Sequence, residues 1–156
     1  MYMIVRTILT YYGFIFTEWI FHRIGHIRDE RNYIYRLHIT HHKVYYPINR
    51  LLSDTYESGL EGVLAYLPPS LLIWIILYLL LDFTTFTLVS IQLIIHAFLN
   101  DYIHTQIHIS DSWLERYRWF QHCRRIHFIH HKKLFKNLAF GGDFTMDKLS
   151  GTYQRH

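Results

Sequence analysis

Residues 63–99 read VLAYLPPSLLIWIILYLLLDFTTFTLVSIQLIIHAFL, and Asp82 is their only charge. A bilayer core about 30 Å thick is crossed by about 20 apolar helical residues. Residues 63–81 and 83–99 therefore each predict one membrane helix, joined by a tight turn near Asp82 to Thr85. Proline removes a backbone donor and clashes with the preceding turn. Pro68 and Pro69 thus predict that the first helix starts or kinks there, leaving 70–81 as its regular part. On that reading the pair is a shallow hairpin or two full spans. A third apolar stretch covers residues 1–21, interrupted by Arg6 and Glu18. It spans if Arg6 snorkels to an interface. It carries little positive charge ahead of its apolar run and no small-residue cleavage site before His22, so it is read as a retained helix rather than a signal peptide. The expected fold is all-α: one domain over 1–156, an integral-membrane bundle of about three apolar helices.

Outside these stretches the charge is lopsided. A helical hairpin returns the chain to the side it left, so the loop 22–62 and the tail after Leu99 face the same way. The loop carries six of the 16 Lys and Arg residues, the tail nine, and only Arg6 lies on the far side. The positive-inside rule then predicts loop and tail in the cytoplasm. This implies a multi-pass protein of the endoplasmic reticulum in a eukaryote, or of the cytoplasmic membrane in a bacterium. The net charge of +4 is too mild to argue for nucleic acid. Hydrophobic residues make up 51% of the chain, which excludes a disordered one. The single cysteine, Cys123, cannot close an intrachain disulfide, and nothing requires an oxidising compartment.

Thirteen of the 156 residues are histidine, and ten fall into four clusters on that predicted cytoplasmic side. His22 and His26 end the first apolar stretch. His38, His41 and His42 form an HxxHH motif. His104 and His108 follow the last apolar stretch. His127, His130 and His131 form a second HxxHH. Residues three or four apart share a helix face, so each pair can aim at one point. In HxxHH the first ring faces both later ones, while adjacent positions diverge by about 100°. Such a triplet can give two rings to one metal and lean the third toward a neighbour. Ten imidazoles exceed the four ligands of a usual zinc site and suit two metals. Imidazole accepts zinc, copper, iron and nickel alike. A dinuclear site beside lipid-sized apolar helices points to attack on an unactivated C–H bond. Zinc has no redox chemistry to offer there, whereas iron can activate dioxygen.

Two carboxylates sit at helical spacing to these rings. Glu18 precedes His22 by four residues and Asp101 precedes His104 by three. Each is predicted to accept a hydrogen bond that orients a ligand histidine, against the plainer alternative of an interfacial acid facing headgroups. His96, His122 and His156 read as ordinary satisfied histidines.

The order of these clusters resembles that of the fatty acid hydroxylase and sterol desaturase superfamily, the membrane di-iron oxygenases, over most of the chain. Glu18-Trp19-Ile20-Phe21-His22-Arg23, Pro47 with Arg50-Leu51 after His42, and Asp101-Tyr102-Ile103-His104 with His108 are similar to the fatty-acid/sphingolipid 2-hydroxylase branch. Phe140-Gly141, Asp147 and Gly151-Thr152 resemble the family's closing segment. The chain departs from that branch in spacing the first pair as HxxxH, one residue short, and in a closing segment one residue short. Small carotenoid hydroxylases of the superfamily share its length and boxes. The resemblance implies a membrane anchor carrying a cytoplasmic helical cap, with two iron ions, or zinc in their place, held by the ten box histidines. It also implies dioxygen as co-substrate and an external electron donor of cytochrome b5 or ferredoxin type. The implied reaction is hydroxylation or desaturation of a lipid, a fatty acyl or sphingolipid chain first, a sterol or carotenoid second. A membrane zinc protein without catalysis uses the same ligands and stands as the rival reading.

Overall fold

The computed structural model describes residues 2–139 and 141–156, without the side chains of 61–63. Met1 and Phe140, which belong to the first apolar stretch and the closing segment named above, lie outside the described residues. Helix makes up 70% of the chain. Among the described residues six α-helices run α1 (Tyr2–Gly25), α2 (Tyr33–Thr40), α3 (Glu61–Leu80), α4 (Phe83–His108), α5 (Arg118–Lys132) and α6 (Thr145–Ser150). A π-helical turn, His41–Tyr45, continues α2, and a 3₁₀ turn, Trp113–Arg116, precedes α5. The described residues contain no named strand; an isolated parallel bridge joins Ser53 to Ile109.

Local chemistry sets the element ends that matter for function. Asn32 caps α2 by accepting from the Tyr35 amide at 3.2 Å, and its Nδ2 donates to the Ile24 carbonyl at 2.7 Å. One side chain thereby starts α2 and ties it to the last turn of α1. Asp82 caps α4 through the Thr85 amide at 3.1 Å, as the tight turn predicted. At the other end of α4, buried Arg124 of α5 donates to the carbonyls of Gln106 (2.9 Å) and Ile109 (2.8 Å) and pairs with Glu115. A cation at a helix C-terminus meets otherwise unsatisfied carbonyls.

α1 packs against α4 and α2, α2 against α3, α5 against α4, and α6 against α1. The cap core gathers Ile107, Leu114, Phe120, Cys123, Ile126, Ala139 and Phe144. On α5 the buried positions 120, 123, 124, 126, 127, 130 and 131 form one face, while Arg118, Arg125 and Lys132 face outward.

The structure departs from one expectation and bears out a second only in part. α3 runs unbroken through Pro68 and Pro69 and does not begin at Ser70. Helices in apolar surroundings tolerate proline because neighbours and small local adjustments satisfy the freed carbonyls. Of the three stretches expected as membrane helices, only that of α4 is, among the described residues, both long and apolar enough to cross a bilayer. Among residues described with their side chains, the apolar run of α3 covers Leu64–Leu80, and Arg6 and Glu18 interrupt that of α1. Only 11% of the apolar window of α4 is buried within the protein, so it is not the core helix of a water-soluble fold. Leu71, Leu72, Ile75 and Leu79 of α3 and Ile91, Ile94, Ile95 and Phe98 of α4 are exposed together. An apolar surface on that scale marks contact with another apolar phase.

Candidate metal centre

The ends of α1 and α4 and the lengths of α2 and α5 meet at one place, where the histidines lie. Two groups have ligand atoms all within 4.8 Å of one another: His22, His26, His38, His42 and His130, and beside them His41, His108, His127 and His131. Nine of the ten box histidines are thus gathered. His104, the tenth, borders the four-histidine group, with ring centroids 4.8 Å from His41 and 4.9 Å from His127. The groups adjoin, since the rings of His42 and His131 lie 4.3 Å apart. Each HxxHH motif divides its rings between them. His38 and His42 belong to the first group and His41 to the second; His127 and His131 belong to the second and His130 to the first.

The orientation of the rings follows from what their outer nitrogens touch. Nδ1 of His22 lies on the Leu138 carbonyl. Nδ1 of His130 meets the Lys136 carbonyl at 2.8 Å, His131 the Tyr46 carbonyl at 2.9 Å, and His108 the Leu51 carbonyl at 2.8 Å. A carbonyl oxygen only accepts, so each of these Nδ1 atoms carries the proton. A neutral imidazole has a single N–H, which leaves a lone pair on each Nε2. Those Nε2 atoms converge. Nε2 of His26 is 3.0 Å from His130 and 3.3 Å from His38, and His38 is 3.1 Å from His42. In the second group Nε2 of His127 is 3.1 Å from both His108 and His131. With metal–nitrogen bonds of about 2.1 Å, neighbouring corners of an octahedron lie roughly 3.0 Å apart. Wherever two of these nitrogens both present a lone pair, they repel one another unless a cation lies between them.

Protonation does not relieve that repulsion. Burial pushes His38 down to about 3 and His130 down to about 4. It holds His26, His41, His42, His127 and His131 below the ordinary imidazole value too, with help from neighbouring histidines. The rings are therefore neutral near pH 7, the form in which histidine binds metal. Among the described residues, Nε2 of His41 is buried without a hydrogen-bond partner. The donor set thus fits two adjacent divalent cations of imidazole-accepting type, such as iron or zinc.

The two predicted carboxylate partners are placed differently. Nδ1 of His22 is taken by the Leu138 carbonyl, while half-buried Glu18 lines a small cavity of about 170 Å³ between α1 and α4. Asp101 is exposed, and Tyr56 Oη, at 3.4 Å, meets Nδ1 of His104. Tyr66 Oη likewise meets Nδ1 of His38 at 3.1 Å. A third carboxylate acts one step further out. Buried Asp147 accepts from the amides of Leu138 (2.9 Å) and Ala139 (3.0 Å), the Thr152 hydroxyl (2.5 Å) and Trp19 Nε1 (3.3 Å). His96 and His122 stay outside both groups: His96 Nε2 lies 3.4 Å from Gln92 Nε2, and His122 Nε2 lies 3.0 Å from Tyr153 Oη.

Residues 7–152 match the family described as fatty acid hydroxylase. Neither curated proteins nor solved structures gave a match.

Proposed function

The chain belongs to the fatty acid hydroxylase family, and from that premise we propose that it is a membrane-bound di-iron enzyme that hydroxylates or desaturates a fatty acyl or sphingolipid chain. The family is one of oxygen-dependent membrane hydroxylases and desaturases and is known for iron use. The observation that carries the reading is the pair of adjoining imidazole groups, in each of which the ligand ring nitrogens lie within 4.8 Å of one another. His22, His26, His38, His42 and His130 would hold one ion, and His41, His108, His127 and His131 the other, with His104 completing the second set. Bound iron would supply reductive activation of dioxygen, which an unactivated C–H bond requires. The chain's own part is positioning. Backbone carbonyls fix the tautomers of His22, His108, His130 and His131, burial keeps the rings neutral, and the rings exclude water from one another's inner nitrogens. The exposed apolar faces of α3 and α4 suit an acyl chain arriving from the bilayer. The electrons come from an external donor of cytochrome b5 or ferredoxin type. The charge distribution supports a multi-pass arrangement with the histidines toward the cytoplasm.

The test is expression under iron-replete conditions, with metal analysis, oxygen uptake and lipid profiling of wild type against His42→Ala and His131→Ala. The expected result is iron near two equivalents, a hydroxylated or newly unsaturated acyl product, and loss of that product in either variant. A zinc-filled protein inert to oxygen would favour the rival reading of a non-catalytic membrane zinc protein. Altered sterols or carotenoids in place of acyl chains would move the substrate to another branch.

A further inference from the structure

Tyr46 follows the π-helical turn and belongs to no histidine cluster, yet it touches three of the four histidines of the second group. It is fully buried. Its amide donates to the His41 carbonyl at 2.8 Å, the bond that closes the turn, and its ring lies 5.2 Å from that of His41. Its ring stacks on His108 at 3.9 Å and 23°. Its carbonyl receives Nδ1 of His131 at 2.9 Å. These three histidines come from three segments: the turn after α2, the end of α4, and α5. Tyr46 Oη is itself anchored, accepting from the Glu57 amide at 2.6 Å and lying 3.3 Å from Ser53 Oγ. Ser53 is paired in turn with the end of α4, its amide donating to the His108 carbonyl at 3.0 Å.

We propose that the Tyr46 ring is the positioning group of the four-histidine pocket, fixing the rings of His108 and His41 for the second metal ion, while the backbone of the same residue holds the turn and His131. The inference rests on the two-metal reading above. The five-histidine pocket has its own outer partners, the carbonyls of Leu138 and Lys136 and the Tyr66 hydroxyl. Tyr46 therefore acts on one pocket and leaves the other in place. Outer partners of this kind are worth about ten- to a hundredfold in metal affinity.

The experiment titrates metal-free, detergent-solubilised protein with Co(II), followed by its visible ligand-field absorption, with helix content checked by circular dichroism. Wild type is expected to bind two equivalents. Tyr46→Leu should bind the first as wild type does and the second about ten- to a hundredfold more weakly, with a shifted spectrum for that ion alone. Tyr46→Phe keeps the ring and should restore the second site close to wild type. In a His108→Ala background, adding Tyr46→Leu should leave the remaining site unchanged, because the two changes act on the same pocket. If Tyr46→Leu does not accumulate, Tyr46→Met fills similar volume without a ring and is read by the same outcomes. Wild-type affinity at both sites, or equal weakening of both, overturns the role of Tyr46. A wild-type protein that binds no cobalt overturns the two-metal reading itself, and this inference with it.

Discussion

Asp147 shows how a residue that touches no proposed ligand can still control one. Its carboxylate holds the Leu138 amide, and the Leu138 carbonyl holds Nδ1 of His22. A carboxylate, which only accepts, suits the donors gathered around it. Asp147→Asn turns an N–H toward one of them. The expected cost is about 1–3 kcal/mol of stability, together with weaker metal binding in the five-histidine pocket. Denaturant unfolding of the metal-free protein and a metal titration check this, and an unchanged midpoint and affinity would contradict it. The gathering of the box histidines was legible in the sequence because imidazole spacing is a side-chain signal. Their outer partners were not, because Leu51, Lys136, Leu138 and Tyr46 act through backbone carbonyls that any residue possesses. Glu18 and Asp101 had the right helical offset for a carboxylate–histidine contact. The carbonyl and the tyrosine from distant segments that reach the rings of His22 and His104 carry no such offset.

At the level of elements, the two HxxHH motifs divide their rings between the pockets because they lie on helical backbone, which made that division readable from spacing. The π-helical turn that carries His41 and His42 had no such signature. α1 and α2 approach closely at Gly25, where an added Cβ would lie 3.1 Å from Cδ2 and 3.3 Å from Cγ of His38. An alanine there asks the ring to give by a few tenths of an ångström; the branched side chain in Gly25→Val asks for more. Gly25→Val is expected to weaken metal binding in the five-histidine pocket by roughly tenfold while helix content stays constant. A metal titration with circular dichroism decides, and wild-type affinity would mean that His38 moves freely. The hairpin of α3 and α4 was legible from its uncharged runs. The uninterrupted course of α3 was not, since proline's local cost is offset by surroundings that the sequence does not display.

For the molecule as a whole, a sheath of neutral histidines makes the metal-free fold sensitive to acid. His38 and His130 are held down to about 3 and about 4 when folded, against about 6.5 in an unfolded chain. A folded value below the unfolded one means that the unfolded chain binds more protons between them. Stability from these groups is therefore complete above about pH 6.5 and falls as the pH drops toward the folded values, by about 1.4 kcal/mol per pH unit for each. Unfolding midpoints of chelator-treated protein between about pH 8 and pH 5 should decline below pH 6.5; a flat profile would contradict it. The all-helical class was legible from composition and spacing. The way the cap closes over the site depends on long-range contacts such as Asp147 to Leu138, which leave no periodic trace. That closure also constrains biosynthesis. α5 supplies rings to both pockets, and it follows α1, α3 and α4 in the chain. Until the ribosome has made α5, neither pocket has its full set of rings, so any ion that needs the whole set would reach a polypeptide whose apolar helices have already been synthesised.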